Sequence, residues 1–107
     1  MARRFSLATV TVLHAVARGI AHGFDVVAET GLRGGTVYPI LSRLESDGFL
    51  SSSWEPAEVA RADGRPPRRY YKVTRAGVKA LNEALEGIKV LKRVPTARSE
   101  PAKGQSS

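Results

Sequence analysis

The spacing of apolar positions changes twice along this chain, and the changes divide it into elements. Over Leu7 to Arg18 the apolar residues fall at helical spacing. Ala8, Val12, Leu13 and Val16 continue a stripe from Phe5, while Leu7, Val10 and Ala17 lie on the other side. Ser6 precedes the run as an N-cap and Gly19 stops it. A helix apolar nearly all round is buried on more than one face. In a chain this short, a partner subunit can supply the second cover, so Val12 and Val16 are expected at a dimer interface.

A second helix is expected from Ala21 or His22 to Thr30, with Phe24, Val27 and Ala28 facing inward and Asp25 and Glu29 outward. The turn Arg33-Gly34-Gly35 leads to a third helix over Thr36 to Asp47. Here Val37, Ile40, Leu41 and Leu44 follow i, i+3, i+4, i+7. Thr36 is read as its cap, which puts Pro39 in the first turn, where a missing N–H costs little. Gly48 ends the helix.

The period then drops to two. Leu50, Ser52 and Trp54 alternate with Ser51, Ser53 and Glu55, a strand pattern. Pro56 to Pro67 reads as a loop and Arg69 to Val73 as a second strand, the two strands forming an antiparallel hairpin. Trp54 is expected to pack the hairpin on a helix. Of Tyr70 and Tyr71, one should be core and the other exposed. Thr74 caps a last helix that runs to about Arg93 and ends at Pro95. Its seam, Val78, Leu81, Leu85, Ile88 and Leu91, suits dimerisation. The expected fold is mainly α with a small β-hairpin. It comprises a winged helix-turn-helix over residues 1–74, a C-terminal dimerisation helix over 75–94 and a disordered tail over 95–107.

Charge narrows the partners. The chain carries 17 Lys and Arg against 10 Asp and Glu, a net +7, which favours polyanions. With no cysteine there is no disulfide, thiolate metal site or cysteine nucleophile, which fits a cytoplasmic protein. No apolar run is long enough to span a membrane, and Leu7 to Ala17, after the basic N-terminus, reads as a helix of the fold rather than an export signal. His14 and His22 are read as structural, with no cofactor or metal implied. Ser51 to Ser53 lack a neighbouring base, and no phosphate-binding Gly-Lys loop exists, so the chain is not expected to be an enzyme.

The third helix turns Gly35, Pro39, Ser42 and Ser46 away from its apolar stripe, with Tyr38 and Arg43 on the flanks. Small residues permit close approach to a major groove. Arg43 can donate to guanine or phosphate, and the Tyr38 hydroxyl can reach a phosphate or a base edge. Glu45 and Asp47 would repel phosphate, so contacts should crowd the first two turns. From Arg61 to Arg75 there are six basic residues and one acid. Proline-stiffened arginines on an extended arm can lie on phosphates or enter a minor groove. The expected contacts to double-stranded DNA are therefore Gly35, Thr36, Tyr38, Pro39, Ser42 and Arg43 from the helix, with Arg65, Arg68 and Arg69 from the arm. A solvated helix face and a solvated basic loop would carry the same residue types, as in a winged helix that binds other proteins.

Several stretches resemble the PadR family of bacterial repressors: His22-Gly23-Phe24, Gly35-Thr36-Val37-Tyr38-Pro39-Ile40-Leu41, Arg43-Leu44-Glu45 and Asp47-Gly48-Phe49-Leu50. Ser53-Trp54-Glu55, Arg68-Arg69-Tyr70-Tyr71-Lys72-Val73-Thr74 and Ala76-Gly77 extend the likeness, which covers about Leu7 to Leu91. The resemblance implies a winged-helix homodimer, with the third helix in the major groove and the wing on the backbone or minor groove. It also implies dimerisation through the C-terminal helix against the partner's first helix. Some short members take flat aromatic effectors between subunits, on a Trp of the C-terminal helix. That helix holds no aromatic residue here, so any small-molecule effector of this chain would be held differently.

Overall fold

A computed structural model describes residues 5–93, with side chains to residue 88. The order is α1 (Leu7–Ala17), α2 (Gly23–Thr30), α3 (Gly34–Ser46), β1 (Leu50–Trp54), α4 (Ala57–Ala62), β2 (Arg69–Val73) and α5 (Arg75–Arg93). This is a mainly helical winged-helix arrangement. The tail expected to be disordered and the stop expected at Pro95 lie outside the described residues, and Leu91 lies beyond the described side chains.

α1 is the central helix and packs on α2, α3, α5 and β2. Ser6 caps it as its chemistry suggests, Oγ accepting from the Thr9 backbone N–H at 3.1 Å. The all-round apolar character is used within one chain. Val12, Leu13 and Val16 are buried together with Val26, Val37, Leu41, Leu44, Leu50 and Leu81. Val12, Val16 and Leu81 therefore belong to the protomer's own core, because α5 folds back over α1. Among the expected interface residues with described side chains, Leu85 and Ile88 are half-buried against that core and Val78 is exposed.

α2 turns a different face inward from the one its apolar spacing suggests. Gly23 and Val26 are buried, while Phe24 is 74 % exposed and Ala28 is exposed. The orientation is set outside the helix. The Tyr71 backbone N–H donates to the Ala21 carbonyl at 2.6 Å, and the His22 ring lies edge-on to Tyr70. This short bridge on the free edge of β2 adds a third strand-like segment to the wing, and local periodicity cannot reveal it.

α3 begins at Gly34, three residues earlier than a Thr36 cap would place it. Arg33 occupies the N-cap position with no side-chain bond, and Thr36 is already helical, its N–H donating to the Arg33 carbonyl at 2.9 Å. Pro39 consequently falls in the second turn, where its missing N–H removes the i+4 donor to the Gly35 carbonyl. Val37, Ile40, Leu41 and Leu44 are buried, as the spacing requires.

The hairpin pairs Leu50 with Val73 through to Trp54 with Arg69, antiparallel. Trp54 is 65 % exposed rather than packed on a helix. Its ring is instead covered by the Arg69 guanidinium at 5.4 Å. Tyr70 and Tyr71 are both half-buried: Tyr71 packs on the core, and Tyr70 is enclosed by His22 and Glu55. The segment expected as a loop contains α4, entered at Pro56 and anchored by buried Ala60.

Thr74 ties the last helix to the hairpin. Its hydroxyl donates to the Gly48 carbonyl at 2.7 Å and accepts from the Gly77 N–H at 3.0 Å. Gly77 sits so close to Phe49 that a Cβ there would collide with the Phe49 carbonyl oxygen and lie 2.7 Å from Val73 Cγ2.

Candidate nucleic-acid interface

The outward face of α3 carries Gly35, Thr36, Tyr38, Pro39, Ser42 and Arg43, all exposed. The buried stripe fixes this division. Four apolar side chains in the core leave the intervening positions facing solvent, and two of them, Tyr38 and Arg43, bear donors long enough to reach a groove. The Arg43 guanidinium makes no hydrogen bond or ion pair to a described residue. It borders a shallow cleft with Ser6, Thr9 and Asp47, on the side of α3 nearest the start of α1.

The arginines of the wing divide into two kinds. Arg65 is committed to the fold. Its two terminal nitrogens donate to Glu55 Oε1 and Oε2 at 2.6 and 2.9 Å, and one of them also meets Asp63 Oδ2 at 3.2 Å. Glu55 is buried and accepts two further bonds, from the Arg68 backbone N–H and the Tyr70 hydroxyl, both at 3.2 Å. One carboxylate thus closes the loop between β1 and β2 from four directions. The Arg65 side-chain bonds hold the Glu55 carboxyl at about 2, against the desolvation that opposes them, and the same pair raises the Arg65 guanidinium above its ordinary value. Arg65, expected among the DNA contacts, is thus engaged within the chain, and the separation of Glu55 and Arg65 in sequence says nothing of their meeting.

Arg69 is partly committed. Its Nε donates to Ser52 Oγ at 3.0 Å and a terminal nitrogen reaches Glu45 Oε1 at 3.2 Å, tying the hairpin to the last turn of α3. Glu45 therefore serves the protein, and its charge is offset on the side facing the wing. Arg68 is exposed, and its guanidinium makes no hydrogen bond or ion pair to a described residue. It lines a cleft with Tyr38 of α3, His22, Gly23 and Phe24 of the α2 entry, and Arg69 and Tyr71 of β2. A side chain of α3 and a wing cation with no side-chain partner among the described residues thus share one concavity. Burial raises the Tyr71 hydroxyl above its ordinary value there, so it remains a neutral hydrogen-bonding group. Phe24, whose exposure the helical spacing did not suggest, stands on the same rim.

Among the described residues, no group of three or more His, Asp or Glu side chains is arranged to hold a metal ion, and no helix is long and apolar enough to cross a membrane.

Residues 12–83 match the family model of the PadR-like transcriptional regulators, a span from α1 into α5. The chain belongs to the PadR-like family of transcriptional regulators. This PadR-like chain is 39 % identical over 98 aligned residues to Transcriptional regulator Rv3488 of Mycobacterium tuberculosis, covering 85 % of this chain and 86 % of that one. Among solved structures it resembles a PadR family transcriptional regulator from Eggerthella lenta, with 34 % identity, a TM-score of 0.65, and coverage of 78 % and 73 % of the two chains. A PadR family regulator from Clostridium difficile superposes with a TM-score of 0.73 over 83 % of this chain and 94 % of its own, at 19 % identity, a likeness of fold. Membership in this PadR-like family makes the chain a DNA-binding regulator of transcription.

Proposed function

We propose that this PadR-like regulator is a homodimeric repressor that binds a palindromic operator. The first turns of α3 enter the major groove and the wing lies on the flanking backbone. The observation that carries this reading is the shared cleft of Tyr38 and Arg68, which sets a base-reading helix and an unpaired cation toward one surface. Tyr38, Ser42 and Arg43 supply donors to base edges and phosphates. Gly35, Thr36 and Pro39 are small enough for the helix to approach closely. Arg68 supplies a wing contact, Arg69 offers the terminal nitrogen that its bonds to Ser52 and Glu45 do not use, and Arg65 holds the wing in shape. Two protomers related by a two-fold axis would read half-sites about one helical turn apart. The dimer forms through the outer face of α5, on which Val78 is exposed at 43 %.

Selection of random duplexes by the purified protein at physiological salt tests this reading. Enrichment of an inverted repeat supports it. Binding that yields no preferred sequence and vanishes with added salt would leave a winged helix whose partner is another protein.

A further inference from the structure

The ring of Tyr38 does not project freely from α3. It lies across the first turn of α2, over the one buried glycine of that helix, Gly23. A Cβ built on Gly23 would collide with Tyr38 Cε1 and sit 3.1 Å from Cζ and 3.2 Å from Cδ1. The opposite ring edge faces Gly34 with only ordinary contact, 3.4 Å from a Cβ there to Cε2. Tyr38 is 49 % exposed, so half of the side chain is seated on the protein and half is presented at the cleft shared with Arg68 and Arg69.

We propose that Gly23 is a positioning residue for DNA recognition: its bare Cα is the seat that fixes the direction in which Tyr38 presents its hydroxyl. The inference rests on the regulator reading above and adds to it a residue of α2 that acts through Tyr38. The physical argument is one of rotamers. A side chain within a helix has two accessible χ1 wells, because the third drives it into the preceding turn. A side chain at position 23 collides with the far end of the Tyr38 ring, so the ring must turn off this seat, and the hydroxyl moves with it. Gly23 has no positive φ, so the backbone accepts alanine there, and alanine is the better helix former. Steric access for Tyr38, not backbone freedom, is thus what the glycine provides.

The test is a double-mutant cycle with four full-length proteins: wild type, Gly23→Ala, Tyr38→Ala and the double variant. Their affinities are measured on a labelled duplex recovered by selection with the wild type. Gly23→Ala should weaken binding about tenfold, as expected for losing one hydrogen bond to a charged group. Tyr38→Ala should do about the same, and the double variant should bind no more weakly than Tyr38→Ala alone. The thermal midpoint of Gly23→Ala should not fall, and its Tyr38 ring resonances should move in NMR spectra of the free protein. Wild-type affinity for Gly23→Ala overturns the proposal. So does a double variant weaker than Tyr38→Ala by the full factor, which would mean that position 23 acts on DNA independently. Unmoved Tyr38 resonances overturn the seat whatever the DNA result. Failure of the selection to yield any preferred duplex overturns the regulator reading, and the positioning role with it.

Discussion

Glu55 and Arg65 face each other across the base of the wing, both carboxylate oxygens engaged at 2.6 and 2.9 Å. The pair is largely withdrawn from solvent, at 4 % and 23 % side-chain exposure for Glu55 and Arg65. Its charge is internal to the fold, and that separates wing architecture from wing chemistry.

The pair gives stability a definite pH dependence. The Glu55 carboxyl, ordinarily near 4.5, is lowered to about 2 in the folded protein. Between those values the unfolded chain binds a proton that the folded chain does not, so acid favours unfolding. The contribution is fully present above the unfolded value and is lost as pH falls through the folded one. Thermal midpoints should therefore decline from about pH 5 toward pH 2. Glu55→Gln should lower the midpoint at neutral pH and flatten that decline, since glutamine has no proton to gain. A variant whose midpoint falls with pH as steeply as the wild type would remove Glu55 from the acid response.

Arg65 and Arg68 should behave oppositely on DNA and in melting experiments. Arg68→Ala should leave the thermal midpoint in place, weaken all duplexes alike and reduce the slope of log affinity against log salt by about one. Arg65→Ala should lower the midpoint, because it strands a buried carboxylate. Once the protein is held folded at low temperature, its salt slope should stay close to that of the wild type. Equal loss of slope in both variants would put Arg65 on the DNA.

Much of this fold is legible in the sequence because its signals are local. The i, i+3, i+4, i+7 stripe of α3, the Ser6 and Thr74 caps and the alternation of Leu50 to Trp54 each fix an element without reference to the rest. What local pattern misses depends on tertiary contacts. α2 rotates to bury Val26 because Ala21 and His22 are held against β2. Val12 and Val16 are covered by the same chain rather than a second one because α5 folds back on α1. α4 is a different kind of miss. Ala57 to Ala62 is composed mainly of good helix formers after a proline, a local signal that the flanking Gly64, Pro66 and Pro67 mask. The exposed face of α3 follows from its buried one, whereas the division of the wing arginines into paired and unpaired follows only from where Glu45 and Glu55 lie.

The dimer proposal is tested most cleanly at Val78. Leu81 is core, and Leu85 and Ile88 lean on the core, so a charge at any of them confuses unfolding with dissociation. Val78→Asp places a carboxylate on an exposed position of α5 and should yield a monomer by light scattering, with the helical circular dichroism retained. A folded variant that keeps a dimeric mass would place the contact on another face of the protomer.

Two glycines of α5 provide a matched test of how that helix is docked. Gly77 has no room for a side chain, since a Cβ would meet the Phe49 carbonyl and crowd Val73. Phe49 and Val73 flank the hairpin ends, so relieving the clash must lift the start of α5 away from the β1–β2 pair. Gly77→Ala should therefore destabilise the fold by about 1–3 kcal/mol, the range for forced overpacking. Gly87 lies in the same helix with open space where its side chain would be. Gly87→Ala should stabilise the helix by up to about 1 kcal/mol, through helix propensity and the reduced freedom of the unfolded chain. Urea denaturation of the two variants under identical conditions reads both signs, with the monomer–dimer equilibrium controlled by repeating the measurement at several protein concentrations. Stabilisation by both substitutions would mean that the first turn of α5 stands further from Phe49 in solution. Destabilisation by both would mean that the exposed side of α5 at Gly87 is covered, as a partner subunit seated on that helix would cover it.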